Sequence, residues 1–271
     1  MLSSRYENLL KTDPMIDIVV PLYNEARILA KSVETIIDFL NRTAFPYSYA
    51  IILADNASTD GSGEICDQLE HKFPGRVKAF HLDSKGKGLA VRKAWERSDA
   101  EIVAFMDADL SSDLDYLSPL IEAVWTGGAD LSIGNRLGVH SRVISRKMFR
   151  KAASYLYNFS ARVILGTPFD DHQCGFKAMK RSAFATVAPL LEEKGFFFDT
   201  ELLAISVRRG FKVKSIDIIW RDSDESKVSL FSDSIKMFAD LVRLRRRLFK
   251  TEAQTHSTAP SDGVSIKSPL I

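Results

Sequence analysis

Ile102-Val-Ala-Phe-Met106 is an unbroken apolar run that stops on Asp107-Ala108-Asp109. A run of that length with no polar alternation reads as a strand buried on both faces, the habit of parallel sheets. In an open α/β sheet, ligands sit beyond the carboxyl ends of the strands. Two carboxylates separated by one small residue at such an end make a hard, oxygen-rich site. That chemistry suits Mg²⁺ or Mn²⁺ and, through the cation, a diphosphate. Taken alone, Asp-Ala-Asp reads equally as an acidic turn that closes a strand.

The pattern repeats along the chain. Ile16 to Val20 is a strand that runs into Pro21-Leu-Tyr23-Asn-Glu25, followed by helical spacing at Ile28, Leu29, Val33, Ile36, Ile37 and Leu40. Tyr49 to Leu53 is a second strand, leading into Asp55-Asn56-Ala-Ser-Thr-Asp60-Gly61, with Thr59 or Asp60 placed to cap a helix through Leu69. Val77 to Phe80 is a third, followed by Lys85-Gly-Lys87-Gly88 and a helix over Leu89–Glu96. Downstream, Ser111-Ser-Asp113 starts a helix through Val124, and Asp130–Ile133 is a strand ending at Gly134-Asn-Arg136. Pro168–Lys177 is a loop, Phe196–Arg208 leads into and forms a helix, and Val213–Trp220 is the last strand, delivering Arg221. Strand and helix in alternation predict a mostly parallel α/β sheet with right-handed crossovers.

Composition narrows the function. At 271 residues, 45% hydrophobic and 27% charged, the chain is an ordinary globular sequence with enough core to need no disulfide. Cys66 and Cys174 are read as reduced thiols of a cytoplasmic protein. A net charge of +2 makes nucleic acid a poor partner, and no apolar run reaches the length of a membrane span. Lys85-Gly-Lys-Gly88 is placed to meet phosphates or to form a solvated turn. It is neither a Walker A loop nor a dinucleotide fingerprint, which argues against a kinase and a dehydrogenase. The reading divides the chain into a polar segment (1–13), a main domain (14–228), a basic amphipathic helix (229–250) and a disordered tail (251–271). That helix either docks on the domain or lies on anionic lipid. The helical face of Tyr155, Leu156, Phe159, Val163 and Ile164 is a further candidate for the bilayer. His172 is read as structural, and Phe196 to Phe198 as core.

Val-Val-Pro-Leu-Tyr-Asn-Glu25, Ala-Asp-Asn-Ala-Ser-Thr-Asp-Gly61 and Asp-Ala-Asp109, in this order, resemble the inverting family 2 glycosyltransferases of the GT-A fold. Lys-Gly-Lys-Gly88, Gly-Asn-Arg136, Gln-Cys-Gly-Phe-Lys177, Phe-Phe-Asp-Thr-Glu201 and Ser-Lys227 are similar to the polyprenyl-phosphate sugar synthases within it, the dolichyl-phosphate glucosyltransferases first and the mannose synthases second. The resemblance implies a Rossmann-like sheet with helices on both faces. It implies that Pro21, Tyr23, Glu25, Asp55, Asn56, Lys87, Asp107, Ala108, Asp109 and Arg136 bind a nucleotide-diphosphate sugar, with UDP-glucose favoured and GDP-mannose, as in a mannose synthase, the alternative. Asp107 and Asp109 would hold the metal, with Ser111 standing where mannose synthases often place a glutamine ligand. Arg136, Arg146, Arg221 and Lys227 would meet the phosphate of a polyprenyl acceptor. Asp199 falls at the place of a catalytic base in relatives with hydroxyl acceptors; here it is a base or orienting group, or else a helix cap. The protein would work on the cytoplasmic membrane face as a peripheral enzyme. A soluble or glycan acceptor, and a nucleotide-binding module without activity, are the other readings.

Overall fold

The computed structural model describes residues 15–144, 148–221 and 237–249. The predicted polar segment, the tail, Arg146, Lys227 and the rest of the predicted basic helix lie outside the described residues.

A sheet of seven strands runs in the order β3-β2-β1-β4-β7-β5-β8. Its members are β1 (Met15–Leu22), β2 (Ser48–Asn56), β3 (Val77–Leu82), β4 (Ile102–Met106), β5 (Leu131–Asn135), β7 (Phe176–Lys180) and β8 (Val213–Asp217). Pairing is parallel among β1, β2, β3 and β4 and between β5 and β8, while β7 lies antiparallel to both β4 and β5. A two-stranded parallel sheet, β6 (Arg142–Ile144) with β9 (Ile219–Arg221), stands apart.

Strand residues alternate between two cores, one on each face. Ile16, Ile18, Val20, Ile102, Ala104 and Met106 face one. Helices α1 (Leu29–Arg42), α2 (Ser62–Lys72) and α4 (Leu117–Trp125) cover it. Val19, Val103 and Phe105 face the other, under α3 (Lys87–Arg97), α6 (Arg181–Val187) and α7 (Phe198–Arg208). Burial on both faces is why these strands read as continuous apolar runs. The α5 helix (Met148–Leu165) and residues 237–249, also helical and here named α8, build a smaller third core from Ala161, Leu165, Phe197, Ala204, Leu241 and Leu244. The part of the basic helix that is described therefore packs on the domain.

Several predicted boundaries shift. The segment after Gly175 is a strand rather than the end of a loop: β7 carries Lys177 and Lys180, which break its apolar reading, yet Lys177 is 0% exposed. The predicted last strand splits at Ile218, half joining the main sheet and half the small one. Helix α2 starts after Gly61, whose φ of 91° lies in the left-handed region, and Asp60 accepts from the Ser62 N–H one residue further in. Asp113 caps a short 3₁₀ turn, Leu114–Tyr116, before α4 begins. Cys66 and Cys174 are free and buried, and burial pushes both thiols up to about 12, so neither is a ready nucleophile.

Candidate active site at the sheet edge

The parallel strands deliver their polar ends to one edge, where the loops bind one another. Leu22 at the end of β1 stands in register with Asp55 near the end of β2. The N–H groups of Asn24, Glu25 and Ala26 donate to Ser58 Oγ, Ser62 Oγ and Asp60 Oδ2 at 3.0, 2.9 and 3.1 Å. Asn24 Oδ1 accepts in return from the Thr59 N–H at 2.8 Å. Asn24 and Ala57 hold positive φ, 54° and 58°, so both turns are fixed in a conformation most side chains avoid. Pro21, Asp55 and Asn56 are buried, and Tyr23 is half-buried with the Lys85 ammonium 3.8 Å from its ring centre. Asn56 Oδ1 accepts from the Gly86 N–H at 3.2 Å and ties the β3–α3 loop to β2. His81 bridges Asp67 at 3.0 Å and Asp55 at 3.2 Å; the bond to Asp67 first, then that to Asp55, raises its proton affinity.

Asp107 and Asp109 lie immediately beyond β4, with the buried Ala108 between them. The Asp107 side chain is 42% exposed, and Asp109 Oδ1 accepts from the Ser111 N–H at 3.0 Å. Lys87, in the first turn of α3, reaches Asp107 at 2.7 Å and Asp199 at 3.4 Å. Lys177 crosses from β7 to Asp199 at 2.6 Å and to the Cys174 carbonyl at 2.5 Å. Asp199 is 2% exposed, and each of its oxygens meets an ammonium group. It sits inside the first turn of α7 and does not cap that helix. Burial works against charge on Lys87, but Asp107 and Asp199 outweigh it and hold the ammonium protonated. Burial also pushes the Asp107 carboxyl up; Lys87 pulls it down, and the Asp109 and Asp199 carboxylates oppose that pull. Gly175 packs so closely on Asp107 that a Cβ there would overlap the carboxylate.

The loop before Gly175 joins this acidic tip to Arg136, one residue past β5. Asp171, fully buried, takes Arg136 Nε at 2.7 Å, Nη2 at 2.9 Å and the Arg136 N–H at 3.0 Å. Burial raises and the Arg136 guanidinium lowers the Asp171 carboxyl, and the guanidinium wins. The Arg136 guanidinium also lies 5.5 Å from the Trp220 ring centre. Arg221, on β9, is exposed and pairs with Asp113 at 2.7 Å, while its N–H donates to the Ser111 carbonyl. The β4 tip and β9 are thereby joined.

Tyr23, Asp55, Asn56, Lys87, Asp107, Asp109, Arg136 and Arg221 therefore belong to one connected edge. Four supporting residues escape the sequence reading. Asp171 had a signal in Asp170-Asp171 but no partner visible nearby. Lys177 was noticed only within a motif. Ser58 reads as loop and Ser62 as the start of a helix, neither with a visible partner in the Asn24–Glu25 turn. His172 is structural as expected: it is buried between Thr167 and Asn158, and burial lowers it to about 4, which keeps the ring neutral. Phe197 and Phe198 are core, whereas Phe196 is 59% exposed.

The mostly parallel sheet, with the polar ends of its strands gathered at one edge, is the GT-A fold. Residues 17–187 match the model for glycosyl transferase family 2, and the chain belongs to that family. It is 32% identical over 229 residues to glycosyltransferase AglD of Haloferax volcanii; the match covers 84% of this chain but only 36% of that protein. It is 30% identical over 247 residues to a dolichyl-phosphate beta-glucosyltransferase of Saccharomyces cerevisiae, covering 85% of this chain and 74% of that one. The polyprenol monophosphomannose synthase of Mycolicibacterium smegmatis is 30% identical over 219 residues, 78% of this chain and 80% of the relative. Glucosyl-3-phosphoglycerate synthase of Mycobacterium tuberculosis, solved with Mn²⁺ and UDP, shares the fold at a TM-score of 0.61 and 18% identity, over 92% of this chain and 82% of that one.

Proposed function

We propose that the chain transfers a hexose, glucose by preference, from a nucleotide-diphosphate sugar to a polyprenyl or dolichyl phosphate, giving a β-linked lipid-phosphate sugar. The observation that carries this is the meeting of the acidic β4 tip with Lys87 on one side and the Asp171-held Arg136 on the other. An acidic tip alone would bind only a cation. Flanked by two fixed cations, it matches two phosphate groups about to exchange a sugar. The names of the yeast and mycobacterial relatives support a lipid-phosphate acceptor, and the yeast relative favours glucose.

The residues fit a divalent cation. Asp107 is partly exposed, and its carboxyl is pushed up by burial and by neighbouring carboxylates, a repulsion that a bound cation would relieve. Asp107 and Asp109 would hold Mg²⁺ or Mn²⁺, which supplies Lewis-acid stabilisation to the departing diphosphate. Pro21, Tyr23, Glu25, Asp55 and Asn56 line the nucleotide side. Lys87 sits beside Asp107, where charge grows on the leaving group, and steadies it. Arg136 and Arg221, with Arg146 and Lys227 from outside the described residues, receive the acceptor phosphate. A phosphate monoester is already anionic near neutral pH and needs orientation more than a base. Asp199 accordingly serves as an orienting group for Lys87: both its oxygens are engaged. Asp199→Asn should lower turnover and leave the shape of the pH–rate profile unchanged. Attack opposite the leaving group inverts the anomeric carbon.

Contact with an anionic membrane, on its cytoplasmic face, belongs to the same reading. Tyr155, Leu156, Phe159 and Val163 form an exposed apolar stripe along α5. No helix among the described residues is long and apolar enough to cross a bilayer. Radiolabelled transfer from UDP-glucose or GDP-mannose to a short polyprenyl phosphate tests the proposal, with flotation on anionic vesicles alongside. Label in the lipid phase from UDP-glucose supports it; label from GDP-mannose alone makes the protein a mannose synthase. No lipid label from either donor would overturn it.

A further inference from the structure

We infer that Arg247, on the C-terminal helix, is a positioning residue for Lys87. It acts through the buried Glu201 and the loop of residues 192–195. The inference rests on the role proposed for Lys87 in steadying the leaving diphosphate.

Glu201 is 2% exposed and points inward from the first turn of α7. A carboxylate so placed needs strong partners. It has three. The N–H of Glu192 donates to its two oxygens at 3.2 and 3.1 Å, and the N–H of Glu193 donates at 2.9 Å. Arg247 Nη2 is the third, and the only cation among them. The other end of the Arg247 fork meets the Glu192 carboxylate at 2.6 Å. Arg247 therefore holds the loop twice, directly and through Glu201. Helix α8 is itself seated by Leu241 and Leu244 in the third core, so the arginine is presented from a packed surface.

The far side of the same loop meets helix α3. The carbonyls of Lys194 and Gly195 accept the N–H groups of Leu89 at 3.0 Å and Gly88 at 3.3 Å. These are donors of the first turn, which the helix itself leaves unpaired. The fit is close: a Cβ at Gly86 would overlap the Lys194 carbonyl oxygen, and one at Gly88 would overlap the Phe198 side chain. Lys87 stands between those two glycines and reaches Asp107 at 2.7 Å. Asp199, its second partner, lies two residues before Glu201 on α7. Loop 192–195 thus sets the register between the two helix starts that present Lys87 and Asp199. Without Arg247, Glu201 keeps only backbone donors among the described residues, the loop loosens, and Lys87 shifts against Asp107. Small displacements of a group aimed at developing charge cost rate rather than ground-state binding.

The test is Arg247→Met, with Arg247→Lys, Glu201→Gln and the double variant, in the full chain. Two readouts are taken: amide exchange at Gly88 and Leu89, and steady-state sugar transfer. The expected result for Arg247→Met is faster exchange at Gly88 and Leu89 with no change at Ile36 and Ile37 of α1. Its kcat should fall on the order of tenfold while the donor KM stays within about twofold. Arg247→Lys should recover most of that loss. The double variant should be no slower than Arg247→Met, because the two residues act as one unit. Unchanged exchange at Gly88 and Leu89, an unchanged kcat, or additive losses in the double variant would each overturn the inference. If Arg247→Met does not fold, Glu201→Gln decides by the same exchange measurement. A wild-type chain that transfers no sugar would sink the proposed function, while the exchange result would still report on the coupling.

Discussion

The half of the molecule built from β1 to β4 and the half built from β5 to β9 position their side chains by different means. In the first half, strand tips are stitched mainly by backbone N–H groups, and the Lys87–Asp107 ion pair is laid across them. Asn24, Glu25 and Ala26 donate to Ser58, Ser62 and Asp60 of the neighbouring tip, and Ser111 donates back to Asp109. In the second half, the side chains are held by ion pairs between distant residues: Arg136 with Asp171, Lys177 with Asp199, Arg221 with Asp113. The difference matters energetically. A backbone-to-side-chain hydrogen bond contributes about 1 kcal/mol, and its loss is local. Breaking one partner of a buried ion pair strands a charge and costs several times as much. The first half is a shaped cradle; the second is a set of charges that must be kept in balance.

The largest expected effect belongs to the cradle's chemistry. Asp109→Asn should lower kcat/KM for sugar transfer by roughly 10²–10³-fold with little change in the urea midpoint, because it removes charge from an exposed tip. If both rate and stability fell together, the tip would be part of the scaffold. Next comes Asp171→Asn, which takes away the buried carboxylate that holds the mostly buried Arg136 guanidinium. It should destabilise the fold by about 3–5 kcal/mol in urea unfolding. A loss below about 1 kcal/mol would remove the distinction between the two halves.

A pH effect follows from His172 in the second half. Its folded value, lowered by burial to about 4, lies below the ordinary 6.5, so the unfolded chain takes up a proton first. The stability it supports is complete above the unfolded value and is lost as pH falls toward the folded one. Between pH 7.5 and pH 5 the loss should be about 2 kcal/mol, read as a falling urea midpoint that a His172→Gln variant does not show. The smallest effect is Arg221→Ala. Its pair with Asp113 is exposed, so stability should change by at most about 1 kcal/mol, while the KM for polyprenyl phosphate rises several-fold. An unchanged acceptor KM would detach Arg221 from the site.

Legibility in the sequence followed the same division. Tyr23, Asp55 and Asp107 could be placed because each follows an apolar run by one to three residues, and parallel strands bring their ends to one edge. Lys177 was lost for the opposite reason. A lysine inside an apolar run reads as solvent-facing, and only Asp199, on another element, makes its burial tolerable. The reversed direction of β7 is illegible for the same cause, since its first two residues, Phe176 and Lys177, read as the end of a loop. The basic helix divides likewise: its period showed an apolar face, but only packing against Ala161 and Leu165 showed that the face is covered.

By itself, then, the chain's order of residues determined the alternation of strands and helices, the acidic tip after β4 and the family, because these depend on neighbours along the backbone. The tertiary structure alone decided which charge answers which: Asp171 for Arg136, Asp199 for Lys87 and Lys177, Glu201 for Arg247. Such pairings depend on distance through space in a medium that screens weakly, and nothing in the spacing along a chain encodes that distance.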